Sequence, residues 1–397
     1  MIADVPTVAA LLAAVAWVVM LLFRGGFWRA DRRLSGSEPA PAVWPEVVAV
    51  IPARNEAATI GRTVGSLMSQ DYPGRFHVIV VDDDSDDGTA VEALRAARES
   101  DRLTVVRGAP LETSWTGKLW AMEQGVRRAE KIAPGAVYLL FTDADIVHDP
   151  ASLRRLVVKA EAGRLALVSL MVRLVSDSGW ERLLIPAFVF FFQKLYPFPW
   201  VNDPAKTAAA AAGGCVLLRR DVLTRAGGLQ AIRDRIIDDC ALAALVKGRG
   251  RAAIWLGLDD RVRSLRGYES LAGIWAMVTR TAYEQLGNSF PMLIGAVAGM
   301  VLIYLVPPVT AVVGLIAGNG VLSAVGAVGW GLMALSYRPT LRLYGQPAWR
   351  AFLLPGAAFL YTAMMVDSAR RTWLGRGGAW KGRHYRGAGG GLGLGPG

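Results

Sequence analysis

Between residues 47 and 142 short apolar runs alternate with segments of helical period, and no other feature restricts the fold of this chain as tightly. Residues 47–51 (VVAVI) form a β-branched run stopped by Pro52, after which Ile60, Val64, Leu67 and Met68 recur on one helical face. Residues 76–81 and 90–99 repeat the strand and the helix, and residues 103–106 and 117–130 repeat them again. Residues 137–141 make a fourth strand. This alternation predicts an α/β fold whose mainly parallel sheet is joined by right-handed crossovers. Three acid-bearing loops then share one sheet edge: Glu56, the cluster 82–87, and Asp143 with Asp145.

The last of these loops carries the sharpest chemistry. In YLLFTDADIV, residues 138–147, an apolar run ends in two carboxylates that point the same way on an extended chain. They stand at the carboxyl end of a strand, where α/β sheets hold ligands. A hard cation such as Mg²⁺ is held by one or two carboxylates plus substrate phosphates; the plainer alternative is a solvated turn. Residues 83–88 imitate the start of a calcium loop, but the twelfth position is Leu94 and the preceding HVIVV is strand-like. A carboxylate hydrogen-bonding a nucleoside is the better reading there. Lys118 follows Gly117 at a helix start suited to anions, although its spacing fits a solvated lysine equally well. Asp238 and Asp239 open a helix reaching Lys247, so one can cap it while the other faces a substrate.

Composition sets the rest of the frame. The chain is 53% hydrophobic and 19% charged, with apolar residues gathered at both ends, the profile of a soluble domain carried on membrane segments. Residues 5–23 hold no charge, Asp4 precedes them, and Arg24, Arg29, Arg32 and Arg33 follow. This predicts a signal anchor with the following domain cytoplasmic, in a multi-pass protein of the cell membrane. A buried core helix is the alternative. The formal net charge of +11 is better met by anionic lipid headgroups than by nucleic acid. Cys215 and Cys240 match neither a disulfide framework nor a zinc pattern. Residues 183–200 are strongly aromatic but broken by Pro186 and Pro197, which suggests an interfacial segment with its aromatic face at headgroup depth. An aromatic core helix is the competing reading. Residues 290–336 read as two spans around Gly318-Asn319-Gly320. Residues 351–366 are a short apolar run that either crosses, which sets the basic residues after it against the positive-inside rule unless the earlier tract is counted differently, or lies re-entrant or interfacial. The expected organisation is an anchor with basic flank (1–33), a linker (34–45), a catalytic domain (46–285), a membrane region (290–368) and a basic, glycine-rich tail (369–397).

PARNE (52–56), VVDDDSDDGT (80–89), TGKLWAMEQG (116–125) and TDAD (142–145), in that order, resemble the family 2 glycosyltransferases of GT-A (Rossmann-like) fold. AAGGCVLLRRDVLTRAGGL (211–229) is similar to their acceptor-side segment, and IIDDCALAALVKGRG (236–250) to their ED-type catalytic motif. With FFFQKLYPFPWVN (190–202) and the apolar ends, the chain looks most like the hopanoid-biosynthesis-associated members, with ceramide glucosyltransferases next. The resemblance implies inverting transfer of one sugar from a nucleotide-sugar donor, a UDP-sugar being expected, to a membrane lipid. It implies that Pro52, Glu56, Asp82, Asp83, Lys118 and Asp143 line the donor site. Asp145 with Asp143 would hold Mg²⁺ or Mn²⁺, and Asp239, beside Asp238, would be the base. Gly213, Gly214 and Arg280 fall on the acceptor side. MVTRT (277–281) keeps only Arg280 of the Q/R-x-x-R-W motif of processive members, so a single transfer is expected. A membrane scaffold that retains the fold without turnover is the reading from a different class.

Overall fold

The computed structural model describes residues 5–98, 100–375, 379–380 and 383–384. Of the expected tail, residues 369–373 belong to a helix that runs to Trp373, and residues 385–397 lie outside the described residues. The chain opens with α1 (Val5–Phe23), then runs through β1 (Val47–Ala53), α2 (Ala57–Met68), β2 (Phe76–Asp82), α3 (Thr89–Ala97), β3 (Leu103–Arg107), α4 (Gly117–Ile132) and β4 (Tyr138–Thr142). These four strands pair in parallel in the order β3-β2-β1-β4. Each ends at the same edge, so the three acid-bearing loops do meet. Pro52 stands inside β1, two residues past Val50, where pairing with β4 stops; a residue without an N–H is cheapest where a ladder has ended.

Beyond β4 the regular alternation ceases. β5 (Ile146–Val147), α5 (Ser152–Gly163), β6 (Leu167–Arg173), α6 (Gly179–Leu195), α7 (Phe198–Val201), β7 (Cys215–Arg219), α8 (Arg220–Arg225), α9 (Asp238–Gly248) and β8 (Ile254–Ser264) complete an eight-stranded sheet. β7 enters antiparallel between β4 and β6, while β6 and β8 are parallel. The second half is therefore mixed, and β7 brings the glycine pair Gly213-Gly214 beside the end of β4. One core face packs Leu119, Leu139 and Leu242, the other Ile60, Leu140 and Leu156, the two-sided burial that a crossover-covered sheet demands.

Among the described residues four helices are long and apolar enough to cross a membrane: Val5–Phe23, Phe290–Ile316, Gly320–Leu343 and Ala348–Trp373. After α10 (Leu271–Thr279), the second comprises α11 (Phe290–Met300), a π turn and α12 (Val306–Ile316); α13 (Gly320–Leu343) and α14 (Leu354–Trp373) follow. α1 inverts the soluble pattern: Ala10, Ala13, Ala14 and Trp17 are buried while Leu11, Leu12, Val15 and Leu22 are exposed. The run expected at 351–366 is longer than its composition suggested. Its approach, Gln346, donates to Ser176 just past β6 (3.0 Å), and its last residue, Trp373, packs on Tyr283 and Phe290, which follow α10.

The aromatic segment corrects one expectation. Its face is covered by protein: Phe190 packs on Phe27 and Tyr337, and Phe191 on Tyr304 and Tyr361. Pro186 is tolerated inside α6, and these rings form the seam between the sheet domain and the apolar helices. Of the large hydrophobic side chains of α6, Trp180 and Leu195 at its two ends are exposed.

α1 is tied to the sheet by main chain. Arg33 bridges to Leu258, and Leu34 N–H donates to Leu258 O (3.3 Å). Arg155 bonds Leu34 O and pairs with buried Asp259 at 2.7 Å. Asp259→Ala leaves that guanidinium uncompensated, and a loss of about 3–5 kcal/mol is expected, read as a lowered thermal midpoint in detergent. An unchanged midpoint would show that the pair is not holding the junction.

Candidate active site

The first two loops are stitched together. Asn55, at a positive φ of 51°, takes Ser85 Oγ on its N–H (3.0 Å) and offers its side-chain oxygen to Asp86 N–H (3.1 Å). Glu56 N–H donates to Thr89 Oγ1 (2.8 Å) and Ala57 N–H to Asp87 Oδ2 (2.9 Å). Asp82 Oδ1 accepts Ser85 N–H (3.1 Å), so this carboxylate shapes the turn. Asp83 is buried, 1% exposed, 3.9 Å from Arg54. Asp87 closes the start of α3 on Thr89. Several acids of the cluster thus serve backbone rather than an ion.

At the next edge Lys118, on the first turn of α4, reaches Asp143 Oδ1 at 3.0 Å and Asp238 Oδ2 at 3.1 Å. Asp239 Oδ2 accepts Gly213 N–H (2.8 Å), and its Oδ1 accepts Cys240 N–H (2.7 Å). A Cβ on Gly213 would stand 3.2 Å from Lys118 Nζ and 3.4 Å from Asp239 Oδ2, so the close approach asks for glycine there. Pro52, Lys118, Asp143, Gly213, Asp238 and Asp239 line one cavity. Gly214 lies behind it. Thr142 Oγ1 donates to Gly214 O (2.8 Å) and therefore accepts from His148 Nε2 (3.0 Å). Burial pulls His148 down to about 4, so it stays neutral.

Arg266 had no sequence signal beyond following a strand. Its Nε donates to Asp145 Oδ2 (2.6 Å), and its Nη2 to both oxygens of Glu56 (2.6 and 2.9 Å). The loop is held by Leu265 N–H on Asp145 O (2.7 Å) and by Tyr268 N–H on Glu181. Arg280, expected on the acceptor side, is exposed at the end of α10 and outside the carboxylate cluster, near Tyr268. Tyr196 lies on the Asp239 side of the cavity. Its hydroxyl accepts from Gln285 Nε2 (2.7 Å), and it interacts with Cys240, next to Asp239.

Charge is unbalanced. Glu56, Asp143, Asp145, Asp238 and Asp239 face two cations, Lys118 and Arg266. Burial opposes the Lys118 charge, but Asp143, Asp238 and Asp239 outweigh it and hold the ammonium protonated above the usual lysine range. Burial raises Asp143, which Lys118 pulls back and Asp145 and Asp238 push further. Burial and Asp238 lift Asp239 to about 6. Upward shifts on both partners of one ion pair follow from an excess of acids. Among the described residues no three His, Cys, Asp or Glu side chains form a metal cage. The donor set would fit a divalent cation as Asp143 and Asp145 completed by phosphate oxygens, with Lys118 and Arg266 giving up the carboxylate oxygens they now contact.

Residues 48–227 match the family model described as glycosyl transferase family 2. The chain is 30% identical over 128 residues to an N-acetylglucosaminyltransferase of Mesorhizobium japonicum, covering 32% of this chain and 28% of that protein. It is 42% identical over 65 residues to a beta-monoglucosyldiacylglycerol synthase of Synechocystis sp., covering 16% and 14%. The chain thus spans less than a third of the length of either relative. A mannosyltransferase from Pyrobaculum calidifontis, solved in complex with GDP-Man and Mn²⁺, superposes with a TM-score of 0.52 at 22% identity. The match covers 92% of this chain and 99% of that one, and it speaks to the fold.

Lys118→Met should cost about 2 kcal/mol, and more at pH 8 than at pH 5. The carboxylates left without their cation have raised folded-state pKa values, so stability is lost as pH climbs through them. Thermal unfolding at the two pH values measures this; equal losses would remove the like-charge account.

Proposed function

We propose, from the premise that residues 48–227 are a glycosyl transferase family 2 domain, that the protein transfers one sugar from a nucleotide donor to a membrane lipid with inversion. The observation that carries the proposal is Lys118. It joins Asp143 to Asp238 at 3.0 and 3.1 Å, beside a carboxylate, Asp239, whose pKa stands at about 6. A general base works best with a pKa near the operating pH. Asp239 takes the acceptor hydroxyl proton as that oxygen attacks the anomeric carbon opposite the departing diphosphate. Gly213 N–H and Cys240 N–H keep its carboxylate oriented.

The nucleoside is assigned to the stitched loops of Glu56, Asp82 and Asp83. The Lys118 ammonium and the positive end of the α4 dipole favour an anion at the diphosphate position. Arg266 is placed to follow the diphosphate once Glu56 and Asp145 release it. With more acids than cations, the site favours a divalent ion, Mg²⁺ or Mn²⁺, held by Asp145 and Asp143. Such an ion acts as a Lewis acid on the leaving group.

A lipid acceptor is supported by Tyr196 and Gln285, which wall the Asp239 side from the end of α6 and the approach to α11. Those elements border helices apolar enough to cross a membrane. Placing the sheet domain on the cytoplasmic side follows the basic flank after α1. α14 then reads as interfacial or re-entrant, with Gln346 ahead of it bonded to Ser176 and Trp373 at its end packed on Tyr283. A UDP-sugar donor and a hopanoid or related polyisoprenoid alcohol remain the finer assignment from the sequence resemblance. The matched stretch of a beta-monoglucosyldiacylglycerol synthase favours a diacylglycerol acceptor as the second reading.

The test is incubation of membranes with labelled sugar nucleotides and extracted lipids, with and without chelator, following label into the lipid phase. Label that enters a lipid and is lost with chelator is expected; no incorporation from any donor would leave a scaffold. Asp239→Asn should lower turnover by about 10²–10⁴-fold with donor affinity retained. The wild-type rate should fall tenfold per pH unit below about 6. Asp238→Asn should move that limb to lower pH, because a charge that lifts Asp239 is gone; a limb that stays in place contradicts the assignment.

A further inference from the structure

We propose that the cleft between α6, α13 and the start of α14 binds the phosphate headgroup of an anionic membrane lipid, at a site separate from the carboxylate cavity. Arg182 and Arg350 both line this cleft, with Tyr337 between them and Leu183, Leu341 and Leu354 as walls. Neither guanidinium has a carboxylate partner among the described residues. Tyr337 is 2% exposed, yet its hydroxyl has no hydrogen-bond partner, and the buried Nε of Arg350 also has none.

Buried polar groups are ordinarily satisfied, and an exception asks for an explanation. Here the orphans are an N–H and an O–H that can donate, set beside two unneutralised cations. That combination recognises an anion rich in acceptor oxygens, and the planar guanidinium matches phosphate through paired N–H groups. The surroundings select a lipid over a free ion. The rim carries Trp349, Phe352 and Leu353, which are 59%, 50% and 43% exposed, on a helix apolar enough to cross a membrane. Acyl chains cover such a rim, whereas water does not. Two cations without an acid offer the ammonium of a zwitterionic headgroup no partner, which favours a headgroup with net negative charge.

The site borders the catalytic loop. Glu181, next to Arg182, accepts the N–H groups of Ser178 and Tyr268, and Tyr268 is two residues from Arg266. A headgroup at Arg182 therefore fastens the helix start on which the Arg266 loop is hung.

The experiment uses the full chain in detergent, titrated with phosphatidylglycerol, phosphatidylcholine or inorganic phosphate, and counts retained lipid by native mass spectrometry. Phosphatidylglycerol should be retained, phosphatidylcholine should not, and inorganic phosphate should compete only weakly. The double variant Arg182→Gln with Arg350→Gln should weaken retention by about 10²-fold, as expected for two charge-assisted contacts. Arg338→Gln with Arg342→Gln, nearby arginines outside the cleft, should leave it unchanged. Tyr337→Phe keeps the ring on Phe190 and removes only the hydroxyl. A loss of about threefold there tests the cleft even if the double variant fails to fold. Equal retention by the double variant overturns the proposal, as does an equal loss in the control pair. So does full competition by inorganic phosphate, which would mark a free-anion site.

Discussion

One ammonium group holds the candidate site together. Lys118 reaches the end of β4 through Asp143 and the start of α9 through Asp238, two elements almost a hundred residues apart in the chain. It sits among more carboxylates than it can neutralise, and the excess sets both the protonation of Asp239 and the appetite of the cavity for positive charge. Arg266 does the same work at the other end of the cluster, bridging Glu56 and Asp145. Charge deficit of this kind gives a site specificity for a ligand that arrives with a cation, since a bare diphosphate would add to the repulsion.

The second constraint is the seam between the sheet and the apolar helices. α6 serves both sides: Ile185 and Val189 belong to the sheet-domain core, Leu184 and Phe190 to the core shared with α13 and α14. Glu181 at its start positions the loop of Arg266, and Tyr196 past its end stands near Asp239. One helix thereby connects the apolar helices to both halves of the carboxylate cavity. It is also where a lipid headgroup would be felt, because Arg182 belongs to its first turn.

Sequence reasoning located the parallel half of the sheet, the first three apolar spans and the carboxylates because each is announced locally. Period-two and period-3.6 patterns declare strands and helices, and a strand's end declares where its loop will stand. The aromatic segment was harder. FFFQK reads equally well at a headgroup layer or in a core, and only the helices packed on Phe190 and Phe191 distinguish the two. Arg280 matched a motif yet stands outside the cluster, while Arg266, in a loop with no motif, stands inside it.

By itself the sequence determined the α/β architecture, the apolar ends and the shared edge of the acids at 56, 82–83, 143 and 145, because strand topology follows from local pattern, and it marked 238–239 as a helix start. Only the tertiary structure decided which cation neutralises which acid, that β7 runs antiparallel to bring Gly213 onto Asp239, and that Gln346 ahead of α14 meets Ser176 while Trp373 at its end meets Tyr283. The physical reason is that ion pairing and close backbone approach depend on contacts between residues distant in the chain, which no local periodicity records.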